Sequence, residues 1–418
     1  MSTRQERWSP PADLRPAIAA GLLALAAFGA AWALLHRGFY ERDQIVDTPV
    51  YQRHAERMLD GQVPYRDFRV EYPPASLPIF LVPALGHRHD EVGYRRAFER
   101  LMAFCGLLTV AGAALCLMAL RAEPERVFAA LAFVALAPLA LGSVILTRFD
   151  LWPTALMMLA LAAVLAGRVR LGLGGLGLAA AAKIFPAVLV TPAIAYVWRR
   201  RGRREAIVCA SVFALVLVAC FLPFVVLSPG GVWDSLHRQA DRPLQIESLG
   251  SAFLLAAHHL WGYGITLNLS HGSQNQGGSL PDALAAVQSV VQAAAVVGLW
   301  IAFARAPATQ ERLVRYSAAC VAAFVAFGKV LSPQFLIWLI PLVPLVRGRR
   351  GLVASGVLAL ALVLTQLWFP FRYWDLALRF DERASWLVLA RDLTLIVLVA
   401  VLAMPGRRPC PQSGPVEG

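Results

Sequence analysis

The chain is short of charge. Only 16% of its 418 residues are Asp, Glu, Lys or Arg, against 58% hydrophobic. A soluble domain carries about a quarter charged residues, so the shortage points to membrane spans rather than one large water-soluble core. Lysine is nearly missing: only Lys183 and Lys329 occur, both in apolar surroundings, and arginine supplies the other basic groups. The six cysteines form no CxxC pair. Five lie in apolar runs and Cys410 lies in the tail, which indicates neither a disulfide framework nor a zinc site. P-loop, GxSxG, HExxH and Rossmann signatures are also lacking, which argues against ATP-driven transport by this chain alone.

What charge there is has a pattern. The net +13 could suggest nucleic acid, but the basic residues sit in short clusters between apolar runs, such as Arg199–Arg204 and Arg347–Arg350. That is the positive-inside pattern of membrane topology. No basic, aromatic-interleaved soluble domain exists to bind nucleic acid.

A membrane span needs roughly 20 apolar residues. Candidate spans are 16–35, 97–120, 127–146, 151–167, 205–227, 282–304, 313–330, 351–370 and 385–404. Run 16–35 reads as a first span rather than a cleaved signal. Residues 171–198 are broken by Lys183-Ile-Phe-Pro186 and read as two short helices meeting near Pro186; 333–346 is short and carries Pro341 and Pro344. The expectation is an all-α polytopic membrane protein with about 12 membrane helices.

Starting from a cytoplasmic N-terminus and alternating sides, the cytoplasmic segments hold 20 Arg/Lys against 7 Asp/Glu, leaving 19 of each elsewhere, so the whole excess of +13 falls on one side. The expected organisation is one transmembrane domain, 1–404, with a cytoplasmic tail, 405–418, in a bacterial plasma membrane. Two long polar stretches, 36–96 and 228–281, then fall outside and are functional candidates. The Gly/Ser/Asn/Gln-rich patch 270–280 is expected to be mobile.

Three groups could carry chemistry. The first outer stretch holds Glu41, Asp43, Asp47, Asp60, Asp67 and Glu71 beside aromatics that include Tyr72. A partly desolvated carboxylate can serve as a general base, although these acids could equally pair with the arginines of the same stretch. The second group comprises Arg148, Asp150, Lys183, Lys329 and Arg372, at the outer ends of spans. A charge there costs several kcal/mol unless paired or liganded. Arg148 could pair with Asp150, but that leaves the other cations unexplained, so an anion site suits them, and phosphate is the natural anion. The third group is Gln245-Ile-Glu247-Ser248, with Arg242 nearby, where Glu247 either holds a sugar hydroxyl or caps the loop. The histidines offer weak metal signals only.

These residues resemble bacterial glycosyltransferase family 87, the polyprenyl-phosphate-mannose-dependent mannosyltransferases of the GT-C fold. The resemblance rests on Asp47-x-Pro-Val-Tyr51 and Gly61-x-x-Pro-Tyr65-x-Asp67-Phe68-x-x-Glu71-Tyr72-Pro-Pro74. Later blocks are Arg148-Phe-Asp150, Lys183-Ile-Phe-Pro186, Gln245-Ile-Glu247-Ser248, Lys329-Val-Leu-Ser332-Pro333-Gln334 and Phe369-Pro-Phe-Arg372. It implies transfer of a sugar, mannose above all, from a polyprenyl-phosphate donor to a glycan or glycolipid acceptor on the extracytoplasmic side. Asp47 best matches the family's general base, with Asp43 as runner-up. Arg148, Lys183, Lys329 and Arg372 would hold the donor phosphate, and Glu71, Tyr72, Asp150, Gln245, Glu247 and Gln334 the substrates. No metal or other cofactor is called for. A lipid or solute transporter of the flippase type is the alternative, and it would need charges at midplane depth lining a path to both faces.

Overall fold

The structure, a computed structural model, describes residues 15–404. The expected tail 405–418 and the N-terminal segment before Arg15 lie outside the described residues. The first apolar run forms α1 (Arg15–Leu34), and the first outer stretch folds into α2 (Thr48–Leu59), α3 (Leu77–Ala84) and the leading turns of α4 (Glu91–Ala119). Next come α5 (Pro124–Leu141), the single turn α6 (Val144–Thr147), α7 (Leu151–Leu165) and α8 (Val169–Ala182). A 3-10 turn over Phe185–Leu189 leads into α9 (Val190–Arg201) and α10 (Arg203–Leu227).

The second outer stretch holds α11 (Pro229–Ala240), β1 (Leu244–Gln245), α12 (Leu249–Trp261), β2 (Thr266–Ser270) and β3 (Ser273–Gly277). The chain closes with α13 (Ser279–Ala304), α14 (Gln310–Ala326), 3-10 turns at Pro333–Trp338 and Val343–Leu345, α15 (Gly348–Trp368), α16 (Tyr373–Arg379) and α17 (Glu382–Ala403).

Seven of these helices, α1, α4, α5, α10, α13, α15 and α17, are long and apolar enough to cross a membrane, and α7 and α8 are shorter apolar helices. The chain is a multi-pass, helical membrane protein. Each regular run read from hydropathy has become a helix shifted by a few residues at its ends. The break expected near Pro186 is present: α8 stops at Lys183, whose backbone is extended, and Pro186 sits in the first turn of the 3-10 segment, where its missing N–H costs nothing. The figure of about 12 crossings is not matched by helices of spanning length. The difference comes from the shorter helices α7, α8, α9 and α14 and from Pro333–Leu345, which the prolines turn into 3-10 segments.

The fold is not wholly helical. β1, β3 and β2 form a small antiparallel sheet in that order. It includes most of the 270–280 patch expected to be mobile. His271 and Gly272 both have positive φ, the requirement of a two-residue hairpin turn. Asn275 is buried and donates from its amide to the carbonyls of Asn268, Ser270 and Ser273. The polar composition read as loop is used to close a hairpin.

Glycines set the spacing of the helices that carry the site. A Cβ on Gly112 of α4 would lie 2.9 Å from Met158 Cβ of α7, and one on Gly172 of α8 would lie 2.4 Å from Val164 Cγ2. Small residues let backbones approach where lipid offers no hydrophobic drive between helices. That packing fixes the link between α6 and α7, and the end of α8, side by side.

Candidate functional site

Lys183, at the end of α8, is the anchor of the site. Its Nζ donates to Asp150 Oδ1 at 2.7 Å, and Trp338 Nε1 donates to the same oxygen at 2.6 Å. The ammonium also lies 4.7 Å from the Phe149 ring centroid, 5.3 Å from Phe335 and 5.1 Å from Trp338, a cation–π arrangement that strengthens when desolvated. Asp150 is only 1% exposed. Its Oδ1 is shared by Lys183 and Trp338.

Arg148 is the second cation. It does not pair with Asp150 as local spacing suggested. Its guanidinium forms an ion pair with Asp47, at the N-terminal end of α2, and reaches the Ile45 carbonyl at 3.4 Å. Asp47 gives α2 no capping bond; its carboxylate accepts instead from the Tyr51 hydroxyl at 3.4 Å. Tyr51 is buried in an aromatic nest with Tyr72, Phe80, Phe98 and Phe149. The first outer loop is thus docked onto the ends of α6 and α7 by aromatic packing and one ion pair.

The third wall is the segment from Arg242 to Ser248. Glu247 is 2% exposed and accepts from Gln245 Nε2 at 2.7 Å. Gln245 also donates to Ser332 Oγ at 3.0 Å, and its amide oxygen accepts from Leu331 N–H at 2.9 Å, so it ties this segment to the chain after Lys329. Arg242 lies within electrostatic range of Glu71, Tyr72 and Glu247. Arg148 is within range of Asp150, Glu247 and Tyr373. Asp47, Arg148, Asp150, Lys183, Tyr72, Glu71, Arg242, Gln245 and Glu247 therefore form one connected group, drawn from four separated parts of the sequence.

Some expected members stand at the margin or away. Lys329 donates to the Ala240 carbonyl at 2.6 Å and faces Asp241 and Arg242, so it borders the group. Gln334 lies half-buried in the turn after Pro333. Arg372 faces Asp381 at 3.7 Å, and it is the next residue, Tyr373, that lies within range of Arg148. Asp43 is exposed in a turn with φ of 50°. Some histidines are engaged elsewhere, His36 with Glu99 and His259 with Ser385, while the His54 ring lies against Tyr72 and the His271 carbonyl accepts from Arg242.

The structure adds a pair that sequence reasoning missed. Arg391 and Asp392, inside α17, are both fully buried and 2.6 Å apart. Arg391 Nη2 donates to the Glu247 carbonyl at 2.6 Å, and its guanidinium lies 5.7 Å from the Trp368 ring. The available signal was two adjacent charges in the middle of an apolar run. Breaking a buried pair costs about 3–5 kcal/mol, so Arg391→Leu is expected to lower the thermal midpoint of the detergent-solubilised protein sharply. Arg391→Leu with Asp392→Leu is expected to recover most of it, as thermal unfolding of the two variants would show.

Burial pushes the Glu247 carboxyl up from 4.5 to about 8, against the opposing pull of Arg391, Arg148 and Arg242. Between those two values the folded chain keeps a proton that the unfolded chain has released. Its stabilising contribution is complete below about 4.5 and is lost as pH rises through about 8. Glu247→Gln is expected to flatten this part of the decline in stability with pH, measured as melting midpoints at successive pH values.

A multi-pass membrane protein with a buried cationic and acidic site at its helix ends is the class this geometry defines. The chain belongs to glycosyltransferase family 87, whose profile matches residues 71–333; it is a membrane glycosyltransferase. The matched stretch contains Arg148, Lys183, Glu247 and Lys329, while Asp47 and Arg372 lie outside it. Among solved structures, ArnT from Cupriavidus metallidurans bound to undecaprenyl phosphate is similar at 17% identity and a TM-score of 0.49, with 94% of this chain and 77% of that chain covered. The Archaeoglobus fulgidus oligosaccharyltransferase in the apo form is similar at 12% identity and a TM-score of 0.45, with 97% of this chain but only 57% of that chain covered. No curated protein matches the chain.

Proposed function

We propose that the protein transfers a sugar, with mannose the leading candidate, from a polyprenyl-phosphate donor to a hydroxyl of a cell-envelope glycan or glycolipid on the extracytoplasmic side. The observation that supports this reading is the meeting of Asp47 with Arg148, Lys183 and Arg242 in one cluster. Such transfer needs cations to take up charge on the departing phosphate and a base for the acceptor proton. The acceptor oxygen bonds to the anomeric carbon as the bond from that carbon to the phosphate oxygen breaks. The electron pair leaves with the polyprenyl phosphate, and the hydroxyl proton passes to Asp47. A single displacement inverts the anomeric centre and requires no metal.

Lys183, Arg148 and Arg242 are the phosphate ligands in this scheme, with Lys329 at its rim. Glu247, Glu71 and Tyr72 are left to hold sugar hydroxyls, and Gln245 sets the position of Glu247. The test uses membranes containing the full chain and radiolabelled polyprenyl-phosphate mannose. Label passing into a glycolipid or glycan fraction is the expected result. Movement of intact labelled lipid between leaflets, with no new product, would instead favour a flippase.

A further inference from the structure

The two ion pairs of the site are not alike. Lys183 is locked: Asp150, fixed in turn by Trp338, and three aromatic rings hold it. Arg148 is held loosely by comparison. Its Nε is buried without a partner, its bond to the Ile45 carbonyl is long at 3.4 Å, and its ion-pair partner sits on the outer loop rather than in the helical core. Asp47, that partner, is about a third exposed (32%), and no capping bond ties its carboxylate to α2. Asp47 thus faces Arg148 from the α6–α7 link and Tyr51 from its own helix. On its other side Arg148 faces Asp150, Glu247 and Tyr373.

We propose that Arg148 is a positioning residue for Asp47 as well as a phosphate ligand, and that the donor phosphate draws it away and so releases the base. This rests on the donor-and-base reading above. A carboxylate engaged by a guanidinium is a weak proton acceptor. A phosphate seated between Lys183 and Arg148, the singly charged diester of the donor or the monophosphate left after transfer, competes for the same guanidinium donors, in the two-pronged geometry that arginine favours. With no donor present, Asp47 stays occupied. Once the donor is seated, Asp47 is free to accept the acceptor's proton. Binding is then ordered, with the lipid phosphate ahead of the acceptor.

The experiment reads the Asp47 carboxyl directly, without turnover. The full chain in lipid nanodiscs is treated with a water-soluble carbodiimide and an amine, and modification of Asp47 is measured by peptide mass spectrometry. A polyprenyl monophosphate is expected to raise modification by about tenfold, and the matching polyprenol, lacking the phosphate, to leave it unchanged. The same rise with inorganic phosphate alone would keep the exchange but overturn the lipid as its required source. Arg148→Gln is expected to be highly modified without ligand and to gain nothing from polyprenyl phosphate; should it not fold, the wild-type comparison decides by itself. Polyprenyl phosphate retained by the protein, as seen by native mass spectrometry, with modification unchanged or reduced overturns the exchange and leaves the donor site standing. Failure to retain any polyprenyl phosphate overturns both.

Discussion

Asp47→Asn is expected to lower sugar transfer by about 10³-fold, the scale of a lost general base. Donor retention should persist, because Arg148 and Lys183 remain. The substitution keeps the volume at the end of α2, and Asp47 makes no capping bond there to lose. Asp43→Asn serves as the control. Asp43 lies in an exposed turn with φ of 50°, a conformation that asparagine tolerates well, so that variant should transfer at close to the normal rate. Both are measured as label incorporated from polyprenyl-phosphate mannose by membranes carrying equal amounts of folded protein. Near-normal transfer by the Asp47 variant would remove it from the role.

Lys183→Met is expected to act twice. It removes a cation that the proposed scheme assigns to the phosphate, and it leaves Asp150 buried and uncompensated, which costs about 3–5 kcal/mol of stability. The two effects separate in a double variant. Lys183→Met with Asp150→Asn replaces a buried ion pair by neutral groups of similar size, so its thermal midpoint should return most of the way toward that of the parent. Its transfer activity should not return, since nothing replaces the charge. Recovery of both together would make the Lys183–Asp150 pair structural only and would move the phosphate site elsewhere.

The helices were legible because lipid imposes a length and an apolar composition on each, and those survive in any single sequence. The pairing of charges was not. Arg148 and Asp150 stand two residues apart in sequence, yet they part: Arg148 goes to the outer loop and Asp150 to a lysine 33 positions on. Residues two apart do not face each other along a helix, and here they sit in the non-helical link between α6 and α7, where the backbone sends them to different neighbours. Arg372 was grouped with the other cations because it also follows a span, but Asp381 takes it instead. Arg242 could be seen only as near Glu247 until β1 brought it inward. Arg391 and Asp392 were visible as charges and passed over because the run around them is so apolar.

The shortness of α8 has a consequence for how a lipid can reach the site. Its 14 residues span about 21 Å, against about 30 Å of hydrocarbon. One end carries Arg170, exposed and paired with Glu205, and the other ends at Lys183. An upright α8 starting at one headgroup plane would therefore bring Lys183 only part of the way to the other. A lipid whose phosphate binds there has to lower its headgroup and sugar below the level of its neighbours. The depth of that descent would grow with bilayer thickness, and sugar transfer is expected to depend on the lipids around the protein accordingly.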